Sequence, residues 1–335
     1  MLRTLAFLAL TFCASFAQAQ VVNVYSARHY DTDDKLYQIF KKKTGITVKV
    51  IQGGSSSLLE RLNREGKRSP ADVFITVDAG RLYKAEERGI FGSVKSAVLN
   101  KRVPQNLRHP QGLWFGLTQR VRIILVSKTR VPKGAITRYE DLAKPRWRNK
   151  VLIRSSGNIY NQSLVGSMME ALGQKGAMSW CRDLVRNMAR KPQGGDRDQI
   201  RGVAAGEADV AVSNHYYYAR LLTSKKKADR KAANAVRLIF PNQKDRGAHV
   251  NISGAGLVKT APNRANAIKF LEFLVSDEAQ KIFAAGNNEY PVVNGVEPPA
   301  VLKQFGTFKA DTVSAYKFGK NNRQAIRMMN RARWR

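Results

Sequence analysis

Three short apolar runs separated by helix-forming stretches restrict the fold of this chain more than anything else in it. Residues 21–26, 46–51 and 69–76 are rich in apolar and β-branched side chains and read as strands. Between the first two, Leu36, Ile39 and Phe40 recur at helical spacing over residues 32–44, and Gly45 stops the helix. A second helix is expected over residues 58–65, and a third opens at residues 77–80. A strand that crosses through a helix to a parallel neighbour does so right-handedly, so this rhythm predicts an α/β lobe.

The rhythm returns further along. Residues 114–127 contain a long strand-like segment, Arg122-Ile123-Ile124-Leu125-Val126, suited to crossing between lobes. Strands at 150–153 and 208–212 follow, with helices near 161–172, 178–187 and 200–205. An extended run at 247–258 would return the chain to the first lobe, where a helix at 263–275 follows Pro262. Beyond Pro298 the chain reads as helical and basic. The expected fold class is therefore α/β with two lobes, each a mixed, mainly parallel sheet flanked by helices, hinged by crossing strands. The first lobe is assigned residues 20–121 and 248–297, the second 122–247 and 298–335. Ligands bind in the cleft such lobes form. With 335 residues the chain can bury two cores, and 43% apolar residues exclude wholesale disorder.

The start of the chain has another purpose. A basic Met1-Leu2-Arg3, an apolar run to Phe16 and the small-x-small pattern Ala17-Gln18-Ala19 read as a secretory leader over residues 1–19. Phe12 precedes Cys13 where a lipid-anchoring signal requires a small residue. After the leader only Cys181 remains, on an apolar helical face, so an intrachain disulfide is excluded and a buried thiol is expected. The formal net charge of +33 favours attraction to anionic surfaces. It is spread along the chain without a helix-turn-helix, zinc-finger or RNP signature, so no specific nucleic-acid role is expected.

Tyrosines mark the expected cleft. Tyr30, Tyr160 and the adjacent Tyr216 and Tyr217 each lie just after a predicted strand, the edge of an α/β lobe where ligands bind. Tyr218 continues the run, but successive residues do not face one point, so it is read as packing. His109, His215 and His249 read as structural. No P-loop, H-E-x-x-H or nucleophile–base pattern occurs, so the sequence gives enzyme activity no support.

Val24-Tyr25-Ser26-Ala27-Arg28-His29-Tyr30, Ser69-Pro70-Ala71-Asp72-Val73-Phe74 and Asn214-His215-Tyr216-Tyr217 resemble the periplasmic iron-binding proteins of ABC importers. The tyrosine-rich subgroup, as in cyanobacteria, is the better match, over essentially the whole chain after the leader. The resemblance implies the type II periplasmic-binding-protein fold, a periplasmic location, an inner-membrane ABC permease with its ATPase as partner, and a monomer. It implies Fe(3+) as cargo, held by Tyr30, Tyr160, Tyr216 and Tyr217 with His29 as a fifth contact, and leaves room for a synergistic anion such as carbonate. Another branch places a carboxylate after the strand of residues 69–76; here Val77 stands at that place, beside Asp78.

The chemistry is consistent with that implication. A free phenol titrates near ~10 and ionises at neutral pH only beside a strong cation. A hard trivalent ion prefers anionic oxygen to thiolate. Four phenolates would overcompensate three charges unless a cation helped. Arg120, Arg122, Arg154 and Arg220 are the local arginines; the resemblance points to one beside the metal, with Arg220 or Arg122 favoured and Arg154 kept. Two rivals remain at this level. One is a binding protein for an oxyanion or small organic solute using Gly53-Gly54-Ser55-Ser56-Ser57. The other is a basic adhesion protein for anionic lipid or nucleic acid.

Overall fold

The computed structural model describes residues 20–28 and 32–335. The leader residues 1–19, and His29 and Tyr30, therefore lie outside the described residues. In chain order the first half contains β1 (Val21–Ser26), α1 (Asp33–Thr44), β2 (Thr47–Gln52), α2 (Ser55–Glu65), β3 (Val73–Val77), α3 (Ala79–Glu87), α4 (Ala97–Arg102) and β4 (Phe115–Ser127). The second half contains β5 (Val151–Leu152), α5 (Ile159–Asn187), α6 (Asp196–Ala205), β6 (Val210–Asn214), α7 (His215–Leu222), α8 (Lys227–Asn234), β7 (Val236–Ile239) and β8 (Val250–Leu257). Then come α9 (Arg264–Leu274), α10 (Asp277–Asn287), β9 (Tyr290–Pro291), α11 (Ala300–Lys303), α12 (Ala315–Lys320) and α13 (Asn322–Arg331).

The strands run in the order β2-β1-β3-β8-β4-β6-β5, with β7 and β9 also on β4. Parallel pairings join β1 to β2, β1 to β3 and β5 to β6. The antiparallel pairings all involve β4 or β8. The sheet is thus more evenly mixed than the strand–helix rhythm alone suggests. β4 pairs β8 up to Val121 and β6 from Arg122 onward, so the lobes meet within one continuous strand.

Side-chain alternation along β4 explains how one strand serves two cores. Ile124 and Val126 join Val151, Val210 and Val212 against α5 and α13. Ile123 and Leu125 face the opposite side with Leu152 and Ala211, in a core continuous with that of the first lobe. The two helices expected near 161–172 and 178–187 form one long element, α5, broken at Gly173 with φ 67° and ψ 172°. Only glycine adopts that backbone without strain, which is why the chain can change direction there. Gly45, with φ 74°, ends α1 as expected. Cys181 is buried, and burial pushes its thiol up to about 12.

At the rear, α12 is wedged between α3 and α5. A Cβ on Gly319 would stand 2.8 Å from the Ala79 carbonyl oxygen, and one on Gly166 would stand 2.7 Å from that of Phe318. Glycine is required at both because the backbones approach too closely for a side chain. The C-terminal stretch therefore touches α3 as well as the second lobe, although sequence alone groups it with the latter.

His249, just before β8, is a pH-sensitive weak point in this framework. Its ring is buried against Phe318, and burial, with the Arg122 and Arg246 guanidiniums nearby, pulls it down to about 3. In the unfolded chain it titrates near ~6.5. Below that pH the unfolded state binds a proton that the folded state refuses, so stability falls as pH drops from ~6.5 towards 3. His249→Phe should lessen the decline of the thermal midpoint between pH 7 and 4; an unchanged pH slope would assign it to other groups.

Candidate metal centre

Three of the expected tyrosines sit in the first turn of a helix that follows a strand. Tyr160 is the second residue of α5, whose start is capped by the Asn158 side chain. Tyr216 and Tyr217 are the second and third residues of α7, which follows β6 without a break. The strand ends because the β-branched alternation of residues 210–212 gives way to residues that continue as helix. First-turn positions carry the positive end of the helix dipole, which favours an ionised oxygen by about 0.3–1 kcal/mol.

These three phenols converge. The Tyr216 and Tyr217 rings lie 4.4 Å apart, and a negative charge on Tyr160 opposes the ionisation of both. Tyr216 is buried, whereas Tyr160 and Tyr217 are half-buried. Burial, then the neighbouring Tyr160, pushes Tyr216 well above the ordinary phenol value and Tyr217 up to about 12. Without a bound cation these groups stay protonated at neutral pH. A cation that binds them must displace protons, so affinity for a hard ion rises with pH. Among the described residues no group of three or more His, Cys, Asp or Glu could hold a metal. The oxygen-rich alternative is the tyrosine cluster.

Two arginines flank Tyr216. The Arg120 guanidinium lies 5.4 Å from its ring centre and that of Arg220 lies 5.6 Å away. Both are held from the first lobe. Arg120 pairs with Glu289 at 2.7 Å, and Arg220 donates to the Asn287 side chain. Glu289 also pairs with Arg28 at 3.0 Å, and these guanidiniums hold its carboxyl down at about 2 despite burial. Arg28, the last described residue before His29 and Tyr30, further bonds Asp33 and Ser253. Arg28 is thus fixed one carboxylate away from Arg120.

The arginines favoured from sequence are only partly placed here. Arg220 lies beside the cluster. Arg122 is instead committed to Asp196 at 2.7 Å, to Asn161 at 2.7 Å and to Asn214 at 3.2 Å, all buried. Arg154 stands 3.8 Å from the same Asp196 and is half-buried. Arg120 and Arg122 are two apart on β4 and leave on the same face, so sequence does not separate them; their partners, Glu289 and Asp196, do. Glu289 was missed because Asn287-Asn288-Glu289-Tyr290 carries no spacing signal.

Other candidates resolve more simply. His215 is buried and pulled down to about 4, chiefly by burial, and its Nδ1 accepts from the Val121 backbone N–H at 3.1 Å. Tyr218 packs on Phe305, with ring centres 5.3 Å apart. Asp78, beside the displaced carboxylate place, is a buried cap. It accepts from the Gly80 N–H at 2.8 Å, from Ser163 at 2.6 Å and from Asn251 at 2.7 Å. The Gly53–Ser57 stretch is an ordinary helix start, with Gly54 as N-cap and the Ser55 hydroxyl bonded to Thr76 at 2.8 Å.

Two α/β lobes joined by crossing strands, with polar groups converging where the strands of the second lobe end, define a two-lobed solute-binding protein. The chain belongs to the bacterial extracellular solute-binding protein family, whose profile matches residues 68–307. It is 49% identical to iron uptake protein A1 of Synechocystis, over 95% of this chain and 88% of that protein. The structure of the Trichodesmium IdiA (FutA) protein with iron and citrate ligands matches with a TM-score of 0.92. It shares 53% identity, covering 94% of this chain and 100% of that one. A ferric binding protein from Campylobacter jejuni matches with a TM-score of 0.86 at 41% identity, over 94% and 100% of the two chains.

Proposed function

We propose that this chain is a periplasmic binding protein that captures ferric iron between its lobes and delivers it to an ABC permease and its ATPase. The observation that carries the reading is the convergence of Tyr160, Tyr216 and Tyr217 beside Arg120 and Arg220. Three phenolates match the charge of a trivalent cation. A fourth, from Tyr30 with His29 beside it, is the first lobe's contribution, and Arg220 offsets its extra charge. The relatives named for iron uptake and ferric binding support that cargo. The iron- and citrate-bound neighbour supports a small carboxylate or carbonate as an added ligand.

Dividing the ligands between lobes makes capture and closure one event. Iron draws the second lobe's phenolates and the first lobe's Tyr30 together, and β4, which runs through both lobes, flexes. Each phenol loses its proton to solvent as iron binds, so loading is favoured by higher pH and release by acid. No chemical conversion of the cargo is required, and the chain acts as a carrier rather than an enzyme.

Purification without chelators, followed by metal analysis and a visible spectrum, tests the reading. One iron per chain with a phenolate-to-iron charge-transfer band is expected. A colourless, iron-free protein that also fails to take up added ferric citrate would overturn it.

A further inference from the structure

We infer that a second surface, formed by the far half of α5 and by α13, docks the protein on anionic phospholipid headgroups. A groove of about 570 Å³ runs between these helices, with Met178 and Met328 among its lining and Lys175, Arg182, Arg327 and Arg331 around them. All four cations are exposed, none forms an ion pair among the described residues, and no carboxylate lines the groove. A second groove of about 430 Å³ continues the face with Lys191, Arg333 and Arg335. Residues 320–335 contain six Lys or Arg and no Asp or Glu.

The local fold explains this concentration. Ala325, Met329, Ala332 and Trp334 turn into the second lobe's core. Helical spacing therefore leaves Arg327 and Arg331, one turn apart, on the outside. Elsewhere on the surface many cations are neutralised, as in Arg88–Glu60, Arg201–Asp229 and Lys43–Glu278.

Three features select a lipid surface as the occupant. The cations spread over ~10 Å of α5 and a turn of α13, too wide for one small anion. Met178 and Met328 pack with the second lobe's core beneath the basic side chains, so the contact rests on charge at a headgroup layer and not on apolar insertion. Trp180 and Trp334 beneath the face are buried, so no ring is presented for stacking on nucleobases. The first half of α5 separates the groove from Tyr160 by ~20 Å of helix axis, leaving the cargo site clear. The inference goes beyond the cargo reading and stands without it.

Vesicle sedimentation of the leader-free chain tests it. Vesicles of phosphatidylglycerol and phosphatidylcholine should retain the protein at low salt, and pure phosphatidylcholine should not. Reversal of Lys175, Arg182, Arg327 and Arg331 to Glu should weaken retention by about six-hundred-fold or more, since each basic side chain at such a surface contributes about five-fold. A control reversing the exposed Lys41, Lys42, Lys225 and Lys227 makes the same charge change and should cost far less. Equal losses would reduce the effect to bulk charge and overturn the inference. So would unchanged vesicle binding together with lost affinity for duplex DNA. Replacing the four groove residues with Gln, with an unchanged thermal midpoint, separates lost docking from misfolding.

Discussion

Replacing Tyr216 and Tyr217 together with phenylalanine is expected to abolish high-affinity iron binding and the visible band while leaving the fold intact. Phenylalanine keeps both rings, so the 4.4 Å ring contact and the packing of α7 survive. What disappears is two ionisable oxygens. Loss of a partner one shell out from a metal costs about 10–100-fold in affinity, so losing two direct anionic ligands should cost on the order of 10⁴-fold or more. Stability of the iron-free protein should change little, and it should even gain slightly where the buried Tyr216 oxygen no longer needs a partner. The Asn214 amide, which donates to that oxygen at 3.1 Å, is left facing a gap and limits the gain. Titration with ferric citrate, followed by absorbance and by competition with a chelator, measures the loss. An affinity within about ten-fold of the parent would remove these tyrosines from the coordination shell.

The single replacements should differ. Tyr217 is half-buried and Tyr216 fully buried between two guanidiniums. Tyr216 therefore ionises into a site that already carries compensating charge, and Tyr217 into one closer to water. Tyr216→Phe should cause the larger loss of affinity and Tyr217→Phe the larger change in the rate of release.

What the sequence made legible follows the range of the interactions. Strands β1, β2 and β4 were readable because β-branched apolar runs leave little choice, and α1 because its stripe and its terminal glycine agree. The placement of Tyr160, Tyr216 and Tyr217 together was readable because a strand end in an α/β lobe is a fixed address. Shorter or more polar elements, such as α4, α8 and β7, were not, since tertiary packing and not local pattern holds them. The role of each arginine was also hidden. Arg120 meets Glu289 across 169 residues and Arg122 meets Asp196 across 74. No local spacing encodes a contact of that range.

Arg122 is the residue whose loss should damage both the fold and the site. It is buried at the point where β4 passes into the second lobe, and one guanidinium reaches three elements. Through Asp196 it holds the start of α6. Through Asn161 it holds the first turn of α5, next to Tyr160. Through the Asn214 side-chain oxygen it fixes the amide whose nitrogen donates to the Tyr216 hydroxyl oxygen. Arg122→Ala leaves the buried Asp196 carboxylate with only the Asn214 N–H at 2.8 Å and the longer contact to Arg154 at 3.8 Å, and removing one partner of a buried ion pair typically costs about 3–5 kcal/mol. In a chain of this size that is a fall in thermal midpoint of about 10 °C. A compensating pair, Arg122→Met with Asp196→Asn, removes both charges and should recover much of that stability, because a buried ion pair is often replaceable by neutral groups. It should not recover iron affinity, since the Asn214 side-chain oxygen then lacks the guanidinium that aims its amide at the Tyr216 hydroxyl. The expected result is a split: near-parental melting with affinity still reduced by about 10–100-fold, the range set by lost outer-shell partners. Recovery of both together would mean that Arg122 only stabilises the lobe and that the tyrosines find their positions without it.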